Sequence, residues 1–230
     1  MAQSAGDRRR LILKCDLPSR AGRGTSAIMA LLDWTRADAS HRLTGEGVVL
    51  RPPQASDFEA WRALRAASRE FLQPWEPVWP ADDLTRAGFN RRLTAYRRDR
   101  DLGTGYAFFV FRAKDGALTG GVSLSNLRRG IAQTASLGYW SGRAFARQGH
   151  TLAAVRALIA FSSEQLGLHR MEAACLPSNT PSGNLLLKAG FTEEGYARAY
   201  LKINGEWRDH RLFGRILGEA GWSDAQGRAR

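Results

Sequence analysis

Cysteine is scarce: Cys15 and Cys175 are the only two in 230 residues. That count excludes a disulfide framework and a Cys-ligated metal centre, and it fits a reducing, cytoplasmic setting. Histidine is nearly as sparse. His41, His150, His169 and His210 show no i, i+4 pairing, so no metal-ligand set is expected. No stretch approaches 18 consecutive apolar residues, which excludes a helical membrane span. Acidic residues are outnumbered 22 to 34 by Lys and Arg, leaving a net charge of +12. Such a field attracts phosphates, RNA or acidic partners without choosing among them.

What is present is globular: 43% apolar and 24% charged residues exclude wholesale disorder. A chain of this length buries on the order of 70% of its unfolded surface and needs no staples. We expect a basic tail over 1–44, one domain over 45–217 and a polar tail over 218–230. Between Met1 and Ile28 lie Arg8, Arg9, Arg10, Lys14, Arg20 and Arg23 against Asp7 and Asp16, without the apolar stretch of a signal peptide. Translation is expected to begin at Met29; the rival reading is a basic arm that touches RNA.

Val48 to Arg51 reads as a strand stopped by Pro52 and Pro53. A capping box of Ser56 with Glu59 then opens a helix with Phe58, Trp61, Leu64 and Arg65 on one face. A second helix is expected over Leu84 to Arg100, with Arg91, Arg92 and Arg98 on a basic outer face, a solvated surface or an RNA contact. The stretch Leu72 to Pro80, holding Pro74, Trp75, Glu76, Pro77 and Trp79, reads as an irregular aromatic loop between these helices. Three β-rich runs follow at Tyr106 to Phe111, Thr119 to Ser125 and Ala135 to Trp140, the first two joined at Asp115-Gly116. A long helix starts just after Gly149 and ends at Gly167, and a strand covers Met171 to Leu176. Thr180 and Pro181 read as the N-cap and first residue of a short helix closed by Gly190. Asn204-Gly205 then joins Tyr196 to Ile203 with Glu206 to Phe213 in a hairpin. The fold class is a mixed α/β domain.

The segment Arg143 to Thr151 lies between a strand and the long helix. A glycine there admits close backbone approach, and the first helical N–H groups are unpaired, so the segment reads as a pyrophosphate cradle or as an ordinary strand-to-helix loop. It is no Walker loop, and Gly103-Thr104-Gly105 lacks the rest of a dinucleotide fingerprint.

Three pieces together carry a resemblance. Leu137-Gly138-Tyr139-Trp140 leads into Arg147-Gln148-Gly149-His150; Pro177-Ser178-Asn179-Thr180-Pro181-Ser182 and Gly183-Asn184-Leu185-Leu186 follow. Ala189-Gly190-Phe191 through Glu194-Gly195-Tyr196 then runs into Trp207-Arg208-Asp209-His210. Over about residues 47–216 the sequence resembles the GNAT N-acetyltransferases, and among them the RimJ-type ribosomal-protein-alanine acetyltransferases. The resemblance implies a central, splayed mixed β-sheet flanked by helices, with acetyl-CoA between two diverging strands. Leu137, Tyr139, Trp140 and Ser141 would lie along its pantetheine, bonding through the strand backbone. Arg147, Gln148, Gly149, His150 and Thr151 would hold the pyrophosphate, and Asn179 would line the cofactor arm. Ser182 sits where the family places a hydroxyl that protonates the departing thiolate; the alternative is a helix-start serine bonded to its own backbone.

Thr151 and Ala153 stand where the broader family often has a small residue and a glutamate. Leu201 stands where RimL-type relatives have a glutamate proposed as base. Glu194, Glu76 and Asp209 are then the candidate bases, Glu194 foremost, each also readable as a pairing or capping carboxylate. An α-amine of pKa ~8 is neutral about one time in ten at pH 7. A lysine amine at ~10.4 is neutral roughly 250-fold less often, a gap of about 3.3 kcal/mol, so a missing strong base is easier to reconcile with a protein N-terminus. The aromatic loop around Trp75, Glu76 and Trp79, with the Asn204-Gly205 hairpin, is the candidate acceptor wall; the alternative is packing against the sheet. The expected activity is acetyl transfer from acetyl-CoA to the N-terminal amine of a ribosomal or other protein, with a weak rRNA contact and no membrane. A small-amine acetyltransferase and a non-catalytic basic RNA-associated module are the alternatives.

Overall fold

A computed structural model describes residues 41–218. The expected tail features, Met29 and the C-terminal segment from Glu219 included, lie outside the described residues. Among these, eight strands form one sheet in the order β1-β2-β3-β4-β5-β6-β8-β7. The strands are β1 (Leu43–Gly45), β2 (Val48–Arg51), β3 (Tyr106–Arg112), β4 (Leu118–Arg128), β5 (Thr134–Ser141), β6 (Arg170–Cys175), β7 (Thr192–Ile203) and β8 (Glu206–Ile216). All neighbours are antiparallel except β5 and β6. β1 begins two residues ahead of the start expected from the sequence. Three residues are too few to show alternation, yet Leu43 is buried in the core.

Strand alternation divides the core in two. Phe108, Val110, Val122 and Leu124 point to one face, where α4 (His150–Glu164) packs Val155, Leu158 and Phe161 against them. Phe109 and Leu118 point to the other, against Phe58 and Trp61 of α1 (Phe58–Ala67) and Phe89 and Leu93 of α3 (Arg86–Asp101). Gly121 faces the Trp140 indole so closely that a Cβ would meet its Nε1 at 2.6 Å. Trp140 therefore turns its side chain into this second cluster.

Several local expectations change. The helical stretch is opened by a box of Gln54 with Asp57, not of Ser56 with Glu59: the Asp57 carboxylate accepts from the Gln54 N–H at 2.8 Å and takes both arms of Arg51. Glu59 is left to pair with Arg62 and Arg86 at the surface. The aromatic stretch starts helically, as α2 (Arg69–Leu72) and a 3-10 turn at Gln73–Trp75. Pro74 is tolerated there because the opening of a helical turn has no partner for its missing N–H. α5 (Thr180–Lys188) is capped by Asn179, one residue before the expected Thr180. Its side chain reaches the Ser182 N–H at 3.1 Å. The basic face of α3 is largely neutralised, since Arg91 bonds Asp82, Arg92 bonds Asp83 and Arg98 bonds Asp99. The hairpin forms as expected, with Asn204 and Gly205 both at positive φ.

Candidate active site

The parallel pairing of β5 with β6 stops after Ser136↔Glu172. Beyond it, β5 keeps its bonds to β4 through Ser141, and β6 keeps its bonds to β8 through Cys175. The facing edges of Leu137–Ser141 and Ala173–Cys175 thus part, leaving strand N–H and C=O groups without a sheet partner across the gap. Buried backbone polar groups need partners, so such a gap is a place for an extended polar ligand. Leu137 and Tyr139 face the α4 side of the sheet.

Across this gap the Tyr139 hydroxyl lies 2.7 Å from Ser182 Oγ and 3.3 Å from the Ser182 carbonyl oxygen. The Ser182 side chain is thereby bonded to a phenol on the facing strand. Burial pushes the Tyr139 phenol above the usual tyrosine range, against the opposing effect of the Ser182 bond. It stays protonated at neutral pH. Cys175, at the end of β6, has its thiol pushed up by burial, which Arg211 and the Ser182 hydroxyl oppose.

At the far end of β5, a 3-10 turn (Arg143–Phe145) leads to α4. Arg147 (φ 63°) and Gly149 (φ 85°) are left-handed, and helical His150 follows. Left- and right-handed residues in succession make backbone N–H groups converge into an anion-binding concavity. No atom lies within 4 Å of a Cβ built on Gly149, and Arg147, Gln148 and Gly149 are exposed. Burial lowers the His150 pKa, and the charges of Arg112 and Lys114 lower it further while Asp115 opposes them. Its Nδ1 is buried without a hydrogen-bond partner. Thr151 follows in the first turn. An open strand edge, a cradle of free N–H groups and an unpartnered imidazole nitrogen suit a long ligand ending in phosphates. Among the described residues no group of His, Cys, Asp and Glu could hold a metal ion.

The opposite face of the sheet carries a cavity of about 760 Å³ at the point where the strands part. Its lining includes Tyr96 and Asp99 of α3, Ser123 of β4, Ser136, Glu172 and Tyr200. Trp75 and Glu76 do not line it. The aromatic stretch does meet the hairpin, through an Asn204 N–H to Glu76 carbonyl bond of 2.9 Å. Together they border a separate cavity of about 310 Å³. The Glu76 carboxylate is bonded to both arms of Arg65, at 2.7 and 2.8 Å, and to the Trp79 indole at 2.7 Å. Glu194 is held in the fork of Arg170, at the opposite end of β6 from Cys175 and Ser182. Asp209 ties Tyr196 and the Ala199 N–H within the bulge of β7. All three candidate bases are engaged in bonds that hold structure. Glu172, which the sequence reading does not single out, is a carboxylate out of phase with buried Met171, Ala173 and Cys175 on β6.

Residues 48–192 match the family model of the acetyltransferase (GNAT) domain. The chain is 36% identical to the probable N-acetyltransferase YjcK of Bacillus subtilis over 170 residues, 74% of this chain and 94% of that protein. It is 35% identical to the ribosomal protein uS5-alanine N-acetyltransferase of Escherichia coli over 173 residues, 74% of this chain and 88% of that protein. In structure it superposes on Mycobacterium smegmatis RimJ in complex with CoA-disulfide at a TM-score of 0.71 and 30% identity, covering 76% and 85% of the two chains. Against the ribosomal-protein-S5-alanine acetyltransferase of Vibrio fischeri the TM-score is 0.72 at 29% identity, covering 77% and 97%. On sequence and fold alike, the chain belongs to the GNAT family and is an N-acetyltransferase of the RimJ/RimL type.

Proposed function

We propose that the chain transfers the acetyl group of acetyl-CoA to the N-terminal α-amine, of Ala or Ser, on a ribosomal or other protein. The observation that carries this reading is the parting of β5 and β6 between a phosphate-suited cradle on one side and a polar cavity on the other. Two substrates can then reach one point from opposite faces of the sheet. The relatives named for ribosomal-protein alanine support the choice of acceptor.

Acetyl-CoA supplies the acetyl group as a thioester. The edge of Leu137–Ser141, including Tyr139 and Trp140 through their backbone, bonds the pantetheine as a substitute strand. The N–H groups of Gln148, Gly149, His150 and Thr151, with the Arg147 side chain, hold the pyrophosphate; each favourable charge contact at a helix start contributes ~0.3 to 1 kcal/mol. Asn179 lines the arm while capping α5. A strand N–H at the split polarises the carbonyl under attack. Ser182 gives its proton to the departing sulfur, and the neutral Tyr139 phenol orients that hydroxyl. Glu76 acts at a distance, its carbonyl anchoring the hairpin through the Asn204 N–H, with Trp75 beside it in the same aromatic stretch. The net charge of +12 supports a weak, salt-dependent rRNA contact that brings the enzyme to a ribosomal acceptor in the cytoplasm.

The test is release of coenzyme A from acetyl-CoA with peptides beginning Ala or Ser, offered beside polyamines and amino sugars, with mass spectrometry locating the acetyl group. Acetyl on the peptide α-amine is expected. Turnover confined to small amines would move the acceptor, and absence of both turnover and acetyl-CoA binding would overturn the reading.

A further inference from the structure

Each carboxylate that the sequence offered as a base is bonded elsewhere, and of the two carboxylates that line the large cavity Asp99 stands on α3, off the parting strands. Glu172 differs. It stands on the last paired register before the strands part, Ser136↔Glu172, and both residues line the 760 Å³ cavity. Its side chain is 38% exposed. Its two contacts are single and long: Arg128 Nη2 at 3.3 Å to one oxygen and Arg170 Nε at 3.3 Å to the other. Arg170 is already committed to Glu194, which takes its two terminal nitrogens. Gly214 makes that possible, since a Cβ there would collide with both the guanidinium and the Glu194 carboxylate. Each Glu172 oxygen has about two lone-pair sites, so with one contact apiece each oxygen keeps one to spare.

We propose that Glu172 is the carboxylate that takes the proton from the acceptor's N-terminal ammonium as it reaches the split. This rests on the α-amine reading above. The Arg128 and Arg170 contacts hold the carboxylate at the mouth without occupying it, and Asp99, Tyr96, Tyr106 and Tyr200 complete the titratable groups around the cavity. Glu194 faces it only through Arg170. The proton count closes. The nitrogen loses two protons by way of Glu172 to solvent as the C–N bond forms and the C–S bond breaks. The sulfur gains one from Ser182, which is reprotonated from solvent, so one proton is released per acetyl transferred.

The experiment is steady-state kinetics of Glu172→Gln and Glu172→Asp with an Ala-starting peptide from pH 7 to 9.5, beside the wild type. A general base contributes typically 10²- to 10⁴-fold, so Glu172→Gln should lose about 100-fold in kcat/KM at pH 7. The deficit should shrink below about tenfold at pH 9.5, where an α-amine of pKa ~8 is neutral unaided. Acetyl-CoA Kd should stay within about twofold. Glu172→Asp, which keeps the charge one methylene shorter, should recover part of the rate. A Glu172→Gln rate within about threefold of wild type at pH 7, or a deficit constant across the pH range, overturns the proposal. If Glu172→Gln does not fold, the Asp variant decides alone: a loss at pH 7 that closes by pH 9.5 supports it and a constant loss overturns it. A wild type that acetylates no peptide α-amine would instead overturn the reading beneath it.

Discussion

Arg65→Ala should be among the most damaging single changes outside the catalytic gap. Arg65 is 6% exposed. It bonds both Glu76 oxygens, lies 3.9 Å from Asp83, and sits 4.0 Å above the Trp79 ring and 5.1 Å from that of Trp140. It therefore ties α1, the aromatic stretch and β5 together. Removing it leaves Glu76, only 20% exposed, without its countercharge. Breaking one side of a buried ion pair costs about 3 to 5 kcal/mol. For a domain of this size, where 1 kcal/mol shifts Tm by roughly 2–4 °C, the melting temperature should fall by about 10 °C or more. Calorimetry or denaturant titration reads it. The double variant Arg65→Met/Glu76→Gln, which removes both charges and keeps volume, should recover more than half of the loss. A loss below about 1 kcal/mol for Arg65→Ala, or no recovery in the double variant, would show that water already screens the pair and would refute the reasoning.

Three further outcomes follow from the gap and its cradle. Gly149→Ala places a Cβ on a residue at φ 85°, which costs roughly 1 to 2 kcal/mol. It should weaken acetyl-CoA binding about tenfold by calorimetry, and unchanged affinity would sink the cradle assignment. Ser182→Ala should lower kcat by about 100-fold with little change in peptide KM, and Tyr139→Phe, which removes the hydroxyl partner of Ser182, should lower it by less; equal and full activity in both would remove them from proton transfer. Burial and nearby cations hold His150 below the ordinary histidine range, so in the free protein its ring should titrate below ~6.5 by NMR. Bound phosphates favour the imidazolium and raise that midpoint. Binding then takes up protons, and acetyl-CoA affinity should increase as pH falls through this window, an increase that His150→Gln should reduce; an unshifted ring would place the phosphates elsewhere.

The local chemistry of the chain was legible wherever one short-range force decides. Asn204-Gly205 made its hairpin because both positions need positive φ, and Gly149 opened α4 for the same reason. The α1 stripe of Phe58, Trp61 and Arg65 was visible in the 3.6-residue spacing, as were the central strands in their apolar runs. The resemblance placed the family and the splayed sheet. Capping was legible only to within two residues: Asn179 displaced Thr180, and a box of Gln54 with Asp57 displaced the one of Ser56 with Glu59, because a cap is chosen by which side chain reaches the open N–H with its own partner at hand.

The fate of the carboxylates was decided by tertiary structure alone. Glu76, Glu194 and Asp209 look alike in sequence, but Arg65, Arg170 and Tyr196 reach them only because the sheet brings distant segments together, and each is thereby bound up. Glu172 is held only by single, long contacts from Arg128 and Arg170 for the converse reason: the parallel ladder ends at its register, and Gly214 lets the Arg170 terminal nitrogens turn to Glu194. Sequence determined which strands and helices could form and which family they belong to, since periodicity, turn chemistry and motif are local. Which strand carboxylate lies at the split depends on where two strands part, and that is set by long-range pairing that no local stretch of the chain encodes.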